Sequence, residues 1–172
     1  MDSLHTYGTA VYLKGADALH TLRSYLGDSL FFGGLKAFLD QYEWKAIQTS
    51  DLQNFLSTWT GINTNNYFNH WILEPGFTHF SIDSSRSMPT SAGYDVSVFL
   101  RQRKHHSLNY YSDVPLEIGF YDSTMQLHTY HLKFQGRCMQ FQVQLPFDPK
   151  LIVIDPGYKI GDAVTEENKF IK

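Results

Sequence analysis

The sequence is short of cysteine, of charge and of long apolar runs, and each shortage excludes something. Cys138 is the lone cysteine among 172 residues, so no internal disulfide framework and no C-x-x-C pair for metal or redox chemistry can be built. Charged residues make up 18%, below the ~25% usual in globular chains. Their balance, 14 Lys+Arg against 17 Asp+Glu for a net charge of -3, gives no basic footprint for nucleic acid. No apolar run approaches a membrane span and no basic amphipathic stretch is present, so membrane insertion is not expected. The start Met1-Asp2-Ser3-Leu4-His5 lacks the basic and apolar regions of a signal peptide, so nothing in this chain directs export; in a longer protein an address would lie elsewhere. What is abundant points to a packed core. Hydrophobic residues are 42% and aromatics 16%, and a folded chain of this length buries roughly 68–70% of its unfolded surface. Small-molecule, peptide or protein partners remain.

The apolar pattern changes period along the chain. From Tyr12 to Trp71 it is helical, and from His79 to Asp155 it alternates at period two. The change predicts a helical lobe over 1–77 and a β domain over 78–172. The first helix is expected from Val11 to Leu26, with Leu19, Leu22 and Leu26 on one face and Gly27 as a left-handed stop. Asp28 is then expected to cap a second helix with the stripe Phe31, Leu35, Phe38, Leu39 and Tyr42. Gly33-Gly34 inside it costs about 1 kcal/mol per residue relative to Ala, which suggests close helix packing. A third helix is expected to open at Thr49 or Ser50, with Ser50 and Gln53 at capping-box spacing, and to end at Gly61. A fourth spans Thr64 to Leu73 and stops at Pro75-Gly76.

Beyond that turn, clear strands lie around Tyr94–Leu100, Val114–Phe120, Tyr130–Phe134 and Cys138–Leu145. Shorter ones fit His79–Asp83 and Leu151–Asp155. Ser81 to Ser91 reads as an exposed loop. Six or seven short antiparallel strands favour an immunoglobulin-like β-sandwich, making the whole an α+β two-domain chain.

Eight histidines invite a search for a metal site, and their contexts argue against one. His105-His106 at a strand end point to opposite faces, as do His128 and His131. His20 reads as a hydrogen-bonded helix histidine. The H-E-x-x-H helix of zinc peptidases, the G-x-S-x-G elbow and a phosphate-cradling glycine loop are all missing. Asp113 and Glu117 read as an exposed acidic sheet face. If zinc did bind this chain, the site would have to be sought among His5, His20, His70 and His79.

Several segments carry a resemblance. Val11-Tyr12-Leu13-Lys14-Gly15-Ala16, Leu19-His20-Thr21-Leu22-Arg23 and Leu26-Gly27-Asp28-Ser29-Leu30-Phe31-Phe32 resemble the aminopeptidase N-like zinc metallopeptidase family just after its metal site. Gly34 to Leu39, Thr49 to Leu52, Thr60-Gly61, and Tyr67 to Ile72 with Pro75-Gly76-Phe77 are similar to the family's next helices in order. Asn109 to Ile118 resembles the sandwich domain that follows. Leu13, where an acidic residue is frequent, and Thr78, where a proline often follows the Pro-Gly-Phe turn, depart from the pattern.

The resemblance implies the C-terminal half of a thermolysin-like catalytic domain joined to the sandwich domain. In that family two histidines of H-E-x-x-H and a downstream glutamate hold zinc, and all of them lie upstream of the match. No cofactor is therefore expected in this chain, zinc is expected in the full-length enzyme, and the chain alone is expected to be inactive. By motif position Tyr12 corresponds to the tyrosine whose hydroxyl donates to the oxyanion of the tetrahedral intermediate. Tyr7 reads as lining the same site or, at least as well, as a packing residue, while Gly15 reads as permitting close approach near the helix start and Lys14 as an ordinary surface lysine. The implied partner is a peptide substrate of the full-length enzyme. Helices parted from the zinc-binding half would expose apolar surface, so self-association through the helical lobe, or disorder before Val11, is expected. The competing reading is a non-catalytic interaction module.

Overall fold

A computed structural model describes residues 9–161 and 169–170. The chain is α+β and divides into two compact units, one running to Glu74 and joined by Lys159–Gly161, the other beginning at Pro75.

The helical unit holds α1 (Thr9–Leu26), α2 (Asp28–Tyr42) and α3 (Thr49–Thr60). A single turn, α4 (Asn65–Tyr67), follows and runs into a π-helical segment, Phe68–Leu73. The buried face of α1 is Ala18, Leu22 and Leu26. Leu19, expected on that face, is 45% exposed although it lies two turns from the buried Leu26. Gly27 has φ 76 but ψ 158, and its N–H reaches the Arg23 carbonyl. It breaks the helix with a conformation open to glycine, though not in the left-handed helical basin. Asp28 is the first residue of α2 rather than its cap; Gly27 precedes it and the Asp28 carboxylate turns back to Arg23. Phe31, Gly34 and Phe38 are buried on α2, whereas Leu39 is exposed.

The paired glycines do what their cost implies. A Cβ on Gly34 would lie 2.9 Å from Leu56 Cδ2 and 3.3 Å from Trp59 on α3, and one on Gly33 2.8 Å from the Trp59 ring. The capping box of α3 is displaced from Ser50/Gln53: Gln48 caps, and its backbone N–H donates to Asp51 Oδ2 at 2.7 Å. Gly61 closes α3 in the left-handed conformation, φ 72, with its N–H on the Ser57 carbonyl.

The expected fourth helix is a short α turn that loosens into the π-helix, sealed by the Glu74 N–H on the Asn69 carbonyl at 2.9 Å. Tyr67, Phe68 and Trp71 are buried along it. Glu74 is extended, φ -77 and ψ 145, since the residue before a proline is driven out of the helical region.

The second unit holds two antiparallel sheets, in the orders β1-β2-β5 and β4-β3-β6-β7. The strands are β1 (Phe77–Thr90), β2 (Gly93–His105), β3 (Val114–Tyr121), β4 (Leu127–Phe134), β5 (Cys138–Leu145), β6 (Leu151–Ile154) and β7 (Lys169–Phe170). Val96, Val98 and Leu100 of β2 and Val114, Leu116, Ile118 and Phe120 of β3 are buried, as their alternation requires. Phe80 of β1 meets Phe134 of β4 edge-on, centroids 5.2 Å apart, so the inward faces of the two sheets share one core.

The largest departure from the sequence reading is Ser81 to Ser91. Ser81 through Thr90 continue β1 and pair with Gly93 to Arg101, interrupted by a bulge between Ile82 and Ser84. Serines carry no apolar signature, but the β2 backbone offers them a ladder. Gln102, buried in the same unit, is satisfied by the Tyr111 backbone, accepting from its N–H at 2.7 Å and donating to its carbonyl at 3.2 Å.

Candidate functional site

Tyr12 lies in the first turns of α1 with 66% of its surface exposed. Helix α1 is fixed along its length. The Tyr67 hydroxyl donates to the Ala18 carbonyl at 2.6 Å, and burial, with Tyr25 beside it, pushes the Tyr67 hydroxyl far above its ordinary pKa, so it stays a donor. The Trp71 indole N–H reaches the Tyr25 hydroxyl at 3.2 Å. Thr21 Oγ1 accepts from the Gly161 N–H at 2.8 Å, and Ser24 donates to the Lys159 carbonyl at 2.7 Å. At the end of α1 Arg23 makes a bidentate pair with Asp28, both bonds 2.7 Å, which holds that carboxyl below its usual range.

Lys14, taken from sequence for an ordinary surface lysine, is half-buried and donates through Nζ to the Glu74 carbonyl at 3.2 Å. That bond ties the helix turn bearing Tyr12 to the residue that ends the π-helix. The Glu74 carboxylate faces His70 Nδ1 at 3.6 Å. No sequence period marks Glu74, and only its place before Pro75 could have singled it out. Gly15 corrects an expectation: among the described residues, a Cβ there would meet nothing within 4 Å, so close approach does not explain it. Tyr12 and Leu13 (62% exposed) face solvent, while Gly15 is half-buried. An exposed tyrosine hydroxyl at such a place is a neutral donor that can meet a developing negative charge.

The histidines are scattered. His20 is exposed on α1, His70 sits in the π-helix and His79 is buried on β1 in the other unit, while His5 and Tyr7 lie outside the described residues. His105 ends β2 with its ring tilted on Phe77, and His106 follows with φ 59. His128 meets Asp122 Oδ2 at 3.3 Å and His131 meets Glu117 Oε1 at 3.4 Å. Asp113 precedes β3 with φ 57 and accepts from Gln135, so it does not share a strand face with Glu117 as expected. Among the described residues no three His, Cys, Asp or Glu side chains converge as metal ligands. Among them no helix is long and apolar enough to cross a membrane.

Against known proteins, residues 1–71 match the Peptidase family M1 domain. The chain is 36% identical over 67 residues to aminopeptidase N of Lactococcus lactis subsp. lactis, covering 39% of this chain and 8% of that protein. It is 36% identical over 70 residues to aminopeptidase N of Lactobacillus delbrueckii subsp. lactis, covering 41% and 8%. In fold it is similar to the crystal structure of Legionella pneumophila aminopeptidase A in complex with aspartic acid. The TM-score is 0.77 at 16% identity, over 95% of this chain and 18% of that one. Residues 1–71 are thus similar to the Peptidase family M1 domain and to aminopeptidase N sequences, and the chain spans about 8% of the length of the relatives it matches.

Proposed function

We propose that this chain is the C-terminal part of the catalytic domain of a zinc-dependent aminopeptidase, continued by an immunoglobulin-like β-sandwich. In this reading Tyr12 is the donor to the oxyanion. The observation that carries it is the M1 match over residues 1–71, within which Tyr12-Leu13-Lys14-Gly15-Ala16 opens α1 with the Tyr12 side chain exposed.

The chemistry follows from where charge appears. When a peptide carbonyl becomes tetrahedral, its oxygen turns negative, and a fixed donor that meets only that oxygen lowers the barrier without tightening the ground state. A tyrosine hydroxyl keeps its proton at neutral pH and can donate without carrying charge. Lys14 holds the turn beneath it through the Glu74 carbonyl. The zinc ligands and the base that activates water belong to residues outside this chain, so the chain alone does not hydrolyse peptides. In a protein that includes that half, Tyr12→Phe is expected to lower kcat about 10²- to 10³-fold with KM little changed. A variant with full kcat removes Tyr12 from the chemistry.

Leu39, Trp44 and Ile47 stand exposed, Trp44 at 96%, around an open pocket of about 440 Å³ at the end of α2. This surface supports self-association through the helical lobe whenever its natural cover is missing.

A further inference from the structure

The two edges of the β1-β2-β5 sheet differ in how they are guarded. Strand β1 carries Asp83 at its bulge, then Arg86 and Pro89, all devices that discourage a further strand. Strand β5, Cys138-Met-Gln-Phe-Gln-Val-Gln-Leu145, has no charge, no proline, no glycine and no bulge. Among the described residues it pairs with β2 alone.

The ladder shows which of its backbone groups are free. Gln102 N–H donates to the Arg137 carbonyl at 2.8 Å, which makes Arg137 a hydrogen-bonded partner of β2. Antiparallel pairs alternate, so Met139, Phe141, Val143 and Leu145 also bond toward β2. Gln142 Nε2 reaches Ser97 Oγ at 3.2 Å, as side chains do at the intervening close pairs. The backbone groups of Cys138, Gln140, Gln142 and Gln144 therefore point off the edge. On the inward face Met139, Phe141 and Val143 are only half-buried, and Phe141 is covered on that side by the Tyr130 ring stacked 5.2 Å away. An added strand would satisfy the free amides and carbonyls and bury the apolar row together.

We infer that β5 pairs antiparallel with β5 of a second copy of this chain, across a two-fold axis at Phe141, to form one continuous sheet. The occupant is argued from self-complementarity. With Phe141 opposite Phe141 of the second copy, Gln140 faces Gln142 and Met139 faces Val143. Cys138 faces Gln144, like faces meet, and no like charges oppose. A two-fold moved to Gln142 would set Cys138 against Pro146, which has no N–H to give. The inference is independent of the peptidase reading and concerns a different surface from the helical lobe.

Hydrogen exchange of the whole chain at several concentrations tests it. The amides of Met139, Phe141 and Val143 are expected to be slow throughout. Those of Gln140, Gln142 and Gln144 are expected to be slow when concentrated and fast on dilution. Gln140→Lys with Gln142→Lys places like charges directly opposite each other at exposed positions, so the fold is retained. It should weaken the dimer at least about tenfold in sedimentation. A control, Leu39→Glu, should leave the concentration-dependent protection of β5 intact. Fast exchange of Gln140, Gln142 and Gln144 at every concentration would overturn the inference, as would association that Leu39→Glu abolishes and the double lysine variant leaves unchanged.

Discussion

The helical unit and the sheet unit handle apolar surface in opposite ways. In the sheets nearly every inward alternate residue of β2 and β3 is covered, down to complete burial of Val96, Val98, Val114 and Ile118. In the helices Tyr12, Leu13, Phe32, Leu39 and Trp44 are all more than half exposed. A core closed around β2 and β3, with its one half-buried row on β5, and a lobe that leaves large side chains in water differ in what they need.

The comparison can be broken most forcefully in the sheet core. Phe120→Ala, at a residue 1% exposed, is expected to cost about 3–5 kcal/mol and to lower the melting temperature of the sheet unit. Leu39→Ala on the lobe, 68% exposed, should change stability by no more than about 0.5 kcal/mol. Equal losses at the two sites would erase the distinction.

Within the helical unit a finer contrast separates the two glycines. Gly34→Ala presses on Leu56, which is fully buried, and is expected to cost about 1–3 kcal/mol beyond the helix-propensity gain. Gly33→Ala presses on Trp59, 44% exposed and free to turn outward, and should be close to neutral in denaturant titration.

The smallest effect lies at an exposed turn of the sheet unit. Asp122 accepts from Thr124 Oγ1 at 2.7 Å and from the Thr124 and Gln126 N–H groups, which hold its carboxyl down at about 2 against an ordinary 3.8. A carboxyl lowered on folding stabilises the fold above its unfolded value, and that contribution disappears as pH falls from 3.8 through 2. Asp122→Ala should therefore be less stable than the parent above pH 3.8, with the gap closing below it in acid titrations.

Much of this architecture can be read from residue order, and the failures have physical causes. Gly61, the Pro75 stop and the alternation of β3 are local signals, set by backbone freedom or by one buried face. Ser84 to Thr90 could not be read as strand because polar edge residues pair only through a neighbour's backbone. The π-helical turn at Phe68–Leu73 is equally silent, since one extra residue per turn leaves an apolar pattern that still looks helical. Tyr12 was singled out by its motif alone, and the role proposed for it rests on that motif. The contact made by the neighbouring Lys14 was not legible, because its partner is a backbone carbonyl sixty residues away. Histidines were abundant in sequence, but their separation in the fold is a tertiary fact.

In the proposed reading this chain is part of a metallopeptidase whose zinc ligands lie on residues outside it. Zinc titration of the chelator-dialysed chain, with hydrolysis of aminoacyl anilides followed in the same samples, tests this most directly. No stoichiometric zinc and no hydrolysis are predicted. One zinc per chain with chelator-sensitive activity would contradict the account and place a metal site among residues assigned here to structure.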